Sequence, residues 1–326
     1  MRRLEFQDER WPLANAFIIA RGSKTEAHVV VVSVHDGETT GRGEAVPYAR
    51  YGESVASVLD QIERLREAVE AGADRQELQE RLPAGAARNA IDCALWDLEA
   101  KNAGVRAWTL AGVAEPRAVT TAFTLSLGSA DSMAEAARDA AHRPLLKLKI
   151  GGADDLDRVE AVRRAAPSSQ LIVDANEALS FDDLRRLAPQ FHALGVTLIE
   201  QPLKAGEDAA LEGFRSPVLL CADESIHTRA ELAACARRYG AVNIKLDKTG
   251  GLTEALVLKR EAEAMGLQIM AGCMVATSLA MAPALLIAQD AAVADLDGPL
   301  LLARDRQPGL RVTGSLVEPP SVVLWG

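Results

Sequence analysis

The stretch RPLLKLKIGG, residues 143–152, places Lys147 and Lys149 two apart inside an otherwise apolar run. Residues two apart on a β-strand point to the same face. Either that face is wet, or it is an interior that carries two ammonium groups for a chemical reason. The chain around it decides. From about residue 118, short apolar strands alternate with helical segments: AFTLSL, LLKLKI, QLIVDA, VTLIEQ, PVLLCADE, AVNIKLD, LQIMAG and AVADLDG. The segments between them, such as SFDDLRRLAPQFHALG and GLTEALVLKREAEAMG, are amphipathic and end in Pro or Gly. Apolar strands alternating with helices indicate a parallel sheet covered on both faces. Eight such units predict an α/β fold, a (β/α)8 TIM-type barrel, with a doubly wound open sheet as the alternative. In a barrel, Leu146, Leu148 and Ile150 face the helices, and Lys147 and Lys149 point inward.

The first third reads as mixed α+β. EAHVVVVSVHDGETTGRGEA predicts a hairpin turning at Asp36-Gly37. Two helices follow, one from Ser54 to Gly72 and one ending at Gly104, the second with Ala90, Ile91, Ala94, Leu95 and Leu98 on an apolar face. The expected organisation is an α+β capping domain over residues 1–115, the barrel over 116–305, and a C-terminal segment, 306–326, that returns to the cap.

Composition narrows the function. The 326 residues are 48% apolar and carry a formal charge of -10, which argues against a nucleic-acid or membrane-surface binder. An anionic small-molecule substrate stays open, because local charge can oppose net charge. Cys93, Cys221, Cys235 and Cys273 have neither paired nor metal-ligand spacing, so a reducing, cytoplasmic setting is expected. No signal peptide is visible in MRRLEFQDERWPL, and SLAMAPALLIA is too short to span a bilayer.

The chemistry is read from the strand ends. LIVDAN brings Asp174, TLIEQP Glu200, LLCADES Asp223 and VNIKLDKTGG Lys245; the intervals are 26, 23 and 22 residues, about one βα unit each (174 to 200, 200 to 223, 223 to 245). Consecutive parallel strands are neighbours, so these groups gather at the C-terminal rim, where such barrels hold their sites. Any single Asp there could be a turn or cap residue. Three in consecutive units repel one another unless a cation sits between them, and an all-oxygen set favours Mg²⁺, with Mn²⁺ as second choice. Lysines beside a dication are expected to lose protons more readily than usual. Lys149 and Lys245 lie four strands apart, facing each other across the metal. Two such bases can remove a proton from one face of a carbon and return it to the other, while the metal stabilises the enediolate.

KLK, DAN, EQP, ADES and NIKLDKTGG, in this order, resemble the enolase superfamily and its muconate-lactonising subgroup, over essentially the whole chain. The superfamily's use of a Lys or His base with Mg²⁺ is a known pattern. The resemblance implies a modified barrel with a cap, Mg²⁺ on Asp174, Glu200 and Asp223, proton exchange by Lys149 and Lys245, and electrostatic support from Lys147. Within the subgroup the chain is most similar to dipeptide epimerases. ADLDGP implies that Asp295 and Asp297, at the mouth, hold the ammonium of a dipeptide. FIIARGSKTEAH resembles a mobile cap loop, with Arg21, or less directly Lys24, meeting a glutamyl carboxylate. Thr124, Cys273 and Met274 line the pocket by the same resemblance, Tyr51 closes the cap or packs, and Asp247 supports the site. The implied reaction is 1,1-proton transfer at the C-terminal residue of a dipeptide, with L-alanyl-D/L-glutamate as expected substrate and murein-peptide recycling as expected setting. Other dipeptides, N-acylamino acids, and cycloisomerase or o-succinylbenzoate-forming substrates remain alternatives, as does a non-catalytic peptide-binding barrel. Homo-oligomer formation is open.

Overall fold

A computed structural model describes residues 2–152 and 154–326. Three antiparallel strands open the chain: β1 (Arg2–Ile19), β2 (Gly22–Asp36) and β3 (Thr39–Ala45). β2 and β3 form the expected hairpin, with Gly37 at φ +62° in its turn. β1 is an addition to the expected elements. Its charges and Pro12 disguise it, but an edge strand tolerates both, and its register with β2 shifts between Pro12 and Phe17. The segment expected as a loop is therefore the tip of a β1–β2 hairpin, turning at Ala20-Arg21.

After a two-residue strand, β4 (Val119–Thr120), come the eight expected barrel strands. They are β5 (Phe123–Leu125), β6 (Leu145–Lys149), β7 (Gln170–Asp174), β8 (Val196–Glu200), β9 (Leu219–Ala222), β10 (Ala241–Ile244), β11 (Gln268–Ala271) and β12 (Val293–Ala294). Each pairs in parallel with the next. A parallel bridge between Thr121 and Ala294 joins the ends, with the Ala122 amide donating to the Ala294 carbonyl at 2.8 Å. That closure excludes the open sheet. Near the C-terminus β13 (Val312–Thr313) pairs with β14 (Leu316–Val317), and β14 with β4, in a small antiparallel sheet.

The barrel interior is layered. Ala122, Leu145, Ile172, Leu198, Cys221, Ala241, Met270 and Val293 form one apolar cluster, one residue from each strand or its immediate start. Two residues further along every strand, the same inward face becomes Thr124, Lys147, Asp174, Glu200, Asp223, Asn243, Gly272 and Asp295. An apolar floor thus carries a polar layer. Gly272 is small because a Cβ there would meet Asn243 Oδ1 at 2.4 Å. Leu146, Leu148 and Ile150 pack outward into the core under the helices.

Helix Ala86–Ala103 ties cap to barrel. Ala-rich sequence favours it, Glu53 accepts its Ala86 amide at 2.7 Å, and Gly104 ends it in the left-handed region. Its expected apolar face packs on the cap sheet, but the opposite face is buried too. There Arg88 donates to the carbonyls of Thr249 and Gly250, Asn89 to Asp247, and Asp92 accepts from Thr253. These partners follow β10, so satisfying the buried polar face fixes the cap on the barrel. The C-terminus returns to the same helix: Trp325 Nε1 donates to the Cys93 carbonyl at 2.9 Å, and the Gly326 amide to Asp97 at 2.6 Å.

β3 lies directly on this helix, and a Cβ on Gly43 would sit 2.2 Å from the Ala90 carbonyl oxygen. Gly43→Val is expected to cost about 3 kcal/mol or more through overpacking. Gly37→Asn, at an open turn where Asn tolerates positive φ, is expected to be nearly neutral. Urea unfolding of the two variants checks the contrast.

Candidate active site

The β1–β2 hairpin and the segment Val46–Tyr51 roof the polar end of the barrel and enclose a cavity of about 670 Å³. Its barrel side includes Thr124, Lys147, Lys149, Asp223, Lys245, Cys273, Met274, Asp295 and Asp297; its roof includes Phe17, Arg21, Lys24 and Tyr51. These expected site residues are therefore brought together, and Asp174 and Glu200, which do not line the cavity, lie against Lys149 and Lys147. Strand register explains the nearest of them, since Lys149 is opposite Asp174 and Asp174 opposite Glu200.

Each ammonium of the site lies against a carboxylate. Lys149 Nζ donates to Asp174 Oδ2 at 2.6 Å, and Lys245 Nζ to Asp223 Oδ2 at 2.6 Å. Lys147 stands between Glu200 at 2.6 Å, Asp295 at 2.7 Å and Asp174 at 3.2 Å. Burial works against the Lys147 ammonium, but Asp295, Glu200 and Asp174 outweigh it and raise its pKa well above the usual lysine value. For Lys245, burial is likewise outweighed by Asp223 and Glu200, and the direction is again upward. The downward shift expected beside a dication is thus not what the protein's own charges produce at these two positions, because carboxylates face both ammoniums. Burial would raise Asp174 and Asp223, yet Lys149 and Lys147 hold the first below the ordinary carboxylate range, and Lys245 and Lys248 the second.

Asp174, Glu200 and Asp223 are at most 1% exposed. Burial, then repulsion from Asp174, pushes Glu200 up to about 7, and its Oε2 lies 2.6 Å from the Lys147 ammonium without hydrogen-bond geometry. Three buried carboxylates on adjacent strands, one with an oxygen held by a cation rather than by a hydrogen bond, are a donor set that fits a hard cation such as Mg²⁺. As placed, no three such groups among the described residues converge closely enough to hold an ion. The lysine ammoniums lie against the carboxylates instead.

The loops after β7 and β8 are strained, with Asn176, Glu177 and Gln201 at φ 43°, 72° and 34°. Asp174 Oδ1 accepts the Asn176 amide at 2.9 Å, and Gln201 Oε1 accepts the Asp223 and Ser225 amides, which holds the turns in place. Asp295 and Asp297, expected at the mouth, are instead only 3% exposed and belong to the interior. Asp297 accepts the Thr124 amide at 2.7 Å, while burial and the Asp295 charge push it up to about 7. Arg21 is already engaged, donating to Glu224 at 2.7 Å, the Asn176 carbonyl at 2.8 Å and Glu177 at 3.0 Å. Lys24 makes no ion pair among the described residues, its Nζ lying 5.0 Å from the Tyr48 ring centroid. Tyr51 lines the cavity and meets the His227 ring edge-on. Burial, aided by Asp295 and Asp297, raises the Cys273 thiol well above its usual value, which suits a wall residue.

Comparison with known proteins places this arrangement. Residues 1–112 match the family model for the mandelate racemase / muconate lactonizing enzyme N-terminal domain, and residues 130–320 the model described as enolase C-terminal domain-like. The chain belongs to the enolase superfamily. Among curated relatives in this superfamily, L-Ala-D/L-Glu epimerase from Escherichia coli (strain K12) is 49% identical over 96% of this chain and 98% of its own. N-acetyl-D-glutamate racemase from Pseudoalteromonas sp is 46% identical over 91% and 95%. Among solved structures, an enolase family member from Agrobacterium tumefaciens with homology to dipeptide epimerases, bound to sodium and L-Ala-L-Glu, is 54% identical. Its TM-score is 0.98 over all of both chains. A dipeptide epimerase from Enterococcus faecalis V583, complexed with Mg and L-Leu-L-Tyr, is 27% identical with TM-score 0.90 over 98% and 97%. No helix among the described residues is long and apolar enough to cross a membrane.

Lys248, Asn243, Glu177 and Glu224 escaped the sequence analysis as site residues. Lys248 had a signal, since it lies three residues after Lys245 in NIKLDKTGG, within one helical turn. The nearby Asp247 accepts the Val46 amide at 2.8 Å and Asn89 Nδ2 at 3.0 Å, and burial raises it to about 7. A raised carboxyl favours folding while protonated, so its contribution is lost as pH rises toward and through 7. Asp247→Asn keeps an acceptor for both donors. It is expected to stabilise the protein at pH 8 by up to about 4 kcal/mol, each tenfold rise in proton affinity being worth about 1.4 kcal/mol, and not below pH 4. Denaturant melts at the two pH values check this.

Proposed function

We propose that the chain is a Mg²⁺-dependent dipeptide epimerase, an isomerase that inverts the α-carbon of the C-terminal residue, with L-alanyl-glutamate as substrate. One observation carries this reading: Lys149 and Lys245, from strands four apart, face one cavity, each 2.6 Å from a buried carboxylate. Lys149 takes the α-proton on one face while Lys245 returns one on the other, and the reverse epimer exchanges these roles. Each turnover needs one lysine neutral and its partner charged. Lys147, surrounded by three carboxylates, stays an ammonium and balances charge beside the substrate carboxylate. Mg²⁺, when held by Asp174, Glu200 and Asp223, supplies the positive charge that makes the α-hydrogen removable.

Asp295 and Asp297 take the dipeptide's ammonium, and Asp295 Oδ1 has no hydrogen bond in place. Thr124, Cys273 and Met274 wall the pocket. The glutamyl carboxylate meets the cationic hairpin tip, where Lys24 makes no ion pair among the described residues and Arg21 anchors the tip to the barrel. Four unpaired cysteines agree with a cytoplasmic place in murein-peptide recycling. The second reading, racemisation of N-acetylglutamate, is favoured by the 46% identical relative, but it brings no ammonium to the open Oδ1 of Asp295.

Proton NMR in D₂O with Mg²⁺ tests both readings. L-alanyl-L-glutamate is expected to lose its glutamyl α-hydrogen signal as the L,D form grows, and N-acetyl-D-glutamate to exchange far more slowly. The opposite order would replace the first reading with the second. Lys149→Ala and Lys245→Ala should each lower epimerisation by about 10²–10⁴-fold, and chelation of Mg²⁺ should abolish it reversibly.

Substrate recognition divides between the two hairpin cations. Lys24→Ala is expected to raise KM for L-alanyl-L-glutamate about tenfold, the loss of one charged contact, with kcat nearly kept. Arg21→Gln should lower kcat as well, because it releases the hairpin from Glu224 and Glu177. Steady-state kinetics of the two variants separates these roles.

A further inference from the structure

Each face of the cavity sets a lysine against a buried carboxylate, with Lys147 also 3.2 Å from Asp174 and Glu200 also 3.8 Å from Lys245, and the faces differ in what holds that carboxylate's other oxygen. On the first, Lys149 donates to Asp174 Oδ2, and Asp174 Oδ1 is held by the backbone amide of Asn176 at 2.9 Å. On the second, Lys245 donates to Asp223 Oδ2, but Asp223 Oδ1 is held by a side chain, the Lys248 ammonium, at 2.6 Å. Lys248 also donates to the main-chain carbonyls of Asp223 at 2.5 Å and Asn243 at 2.9 Å. An ammonium has three donors, so all of them are spent here. The residue is 1% exposed and is not part of the cavity lining, so it does not reach the substrate.

With both oxygens engaged, the Asp223 carboxylate cannot turn, and its Oδ2 fixes where Lys245 Nζ rests. The geometry points to Lys248 as a positioning residue for Lys245: through Asp223 it governs proton transfer on the Lys245 face and leaves the Lys149 face to its main-chain support. This inference rests on the two-lysine reading above. A purely structural role, or one confined to supporting Mg²⁺, would weaken both faces together.

The test is initial α-hydrogen exchange in D₂O, measured separately from L-alanyl-L-glutamate and L-alanyl-D-glutamate. Lys149→Ala and Lys245→Ala first establish which epimer each lysine deprotonates. Lys248→Met is expected to slow exchange about 10–100-fold for the Lys245-dependent epimer and to leave the other within about threefold. Lys248→Gln, which keeps a donor, should fall between, and it carries the comparison if circular dichroism shows the Met variant unfolded. The Mg²⁺-induced rise in melting temperature should be the same in the Lys248 variants as in wild type. Equal slowing of both epimers, no slowing of either, or loss of that rise would overturn the inference while leaving the epimerase intact. If wild type exchanges neither epimer, the functional reading itself fails and this inference falls with it.

Discussion

Charge balance inside a closed barrel is the constraint on which the rest of this structure depends. Moving even one isolated ion from water into such an interior is prohibitively costly unless partners are in place. Here Asp174, Glu200, Asp223 and Asp295 are interleaved with Lys147, Lys149, Lys245 and Lys248, with ion-pair distances of 2.6–3.8 Å between them. Among the described residues Asp295 pairs only with Lys147 and Lys149 only with Asp174, so removing Lys147 or Asp174 leaves a buried charge unpaired. The apolar floor beneath the layer makes this possible, because Leu145, Ile172, Leu198 and their counterparts seal one end and leave the charges open only toward the cavity.

The period of two along each strand made that layer legible in advance. Leu145, Lys147 and Lys149 share a face by arithmetic alone, and so do Ile172 with Asp174 and Leu198 with Glu200. β1 was not legible, because an edge strand needs few apolar residues and tolerates Pro12 and alternating charge. The buried polar face of helix Ala86–Ala103 was also hidden: Arg88, Asn89 and Asp92 look solvated until the barrel segment that satisfies them is known. Arg21 shows the same limit. Sequence supplies a cation near the mouth, but only the fold reveals Glu224 and Glu177 already holding it.

The cap is more than a cover. Its sheet lies on helix Ala86–Ala103, whose Asn89 bonds to Asp247, and Asp247 is two residues from Lys245. Glu44 on β3 accepts the Thr277 amide, just beyond Cys273 and Met274, and Arg306 bridges Glu44 to Glu9 on β1. The elements that enclose the substrate therefore also brace the segments that carry the chemistry. A roof loosened at the hairpin would admit water, raise the effective dielectric and weaken every charge interaction below it.

Lys147 links the two ends of the site. It pairs with Glu200 and Asp174 on one side and with Asp295 on the other, so on the proposed function the carboxylate assigned to the substrate's ammonium is tied electrostatically to those assigned to Mg²⁺. On that reading an arriving ammonium would compete with Lys147 for Asp295, and the share of Lys147's charge left for Glu200, Asp174 and the incoming carboxylate would rise accordingly. Recognition of the N-terminal residue would then strengthen stabilisation at the C-terminal one, where the proton is removed. A substrate without an ammonium would leave Lys147 held on Asp295 and forgo that gain. The lysine that looks misplaced in an apolar strand would, on the proposed function, favour a dipeptide over a simple carboxylate.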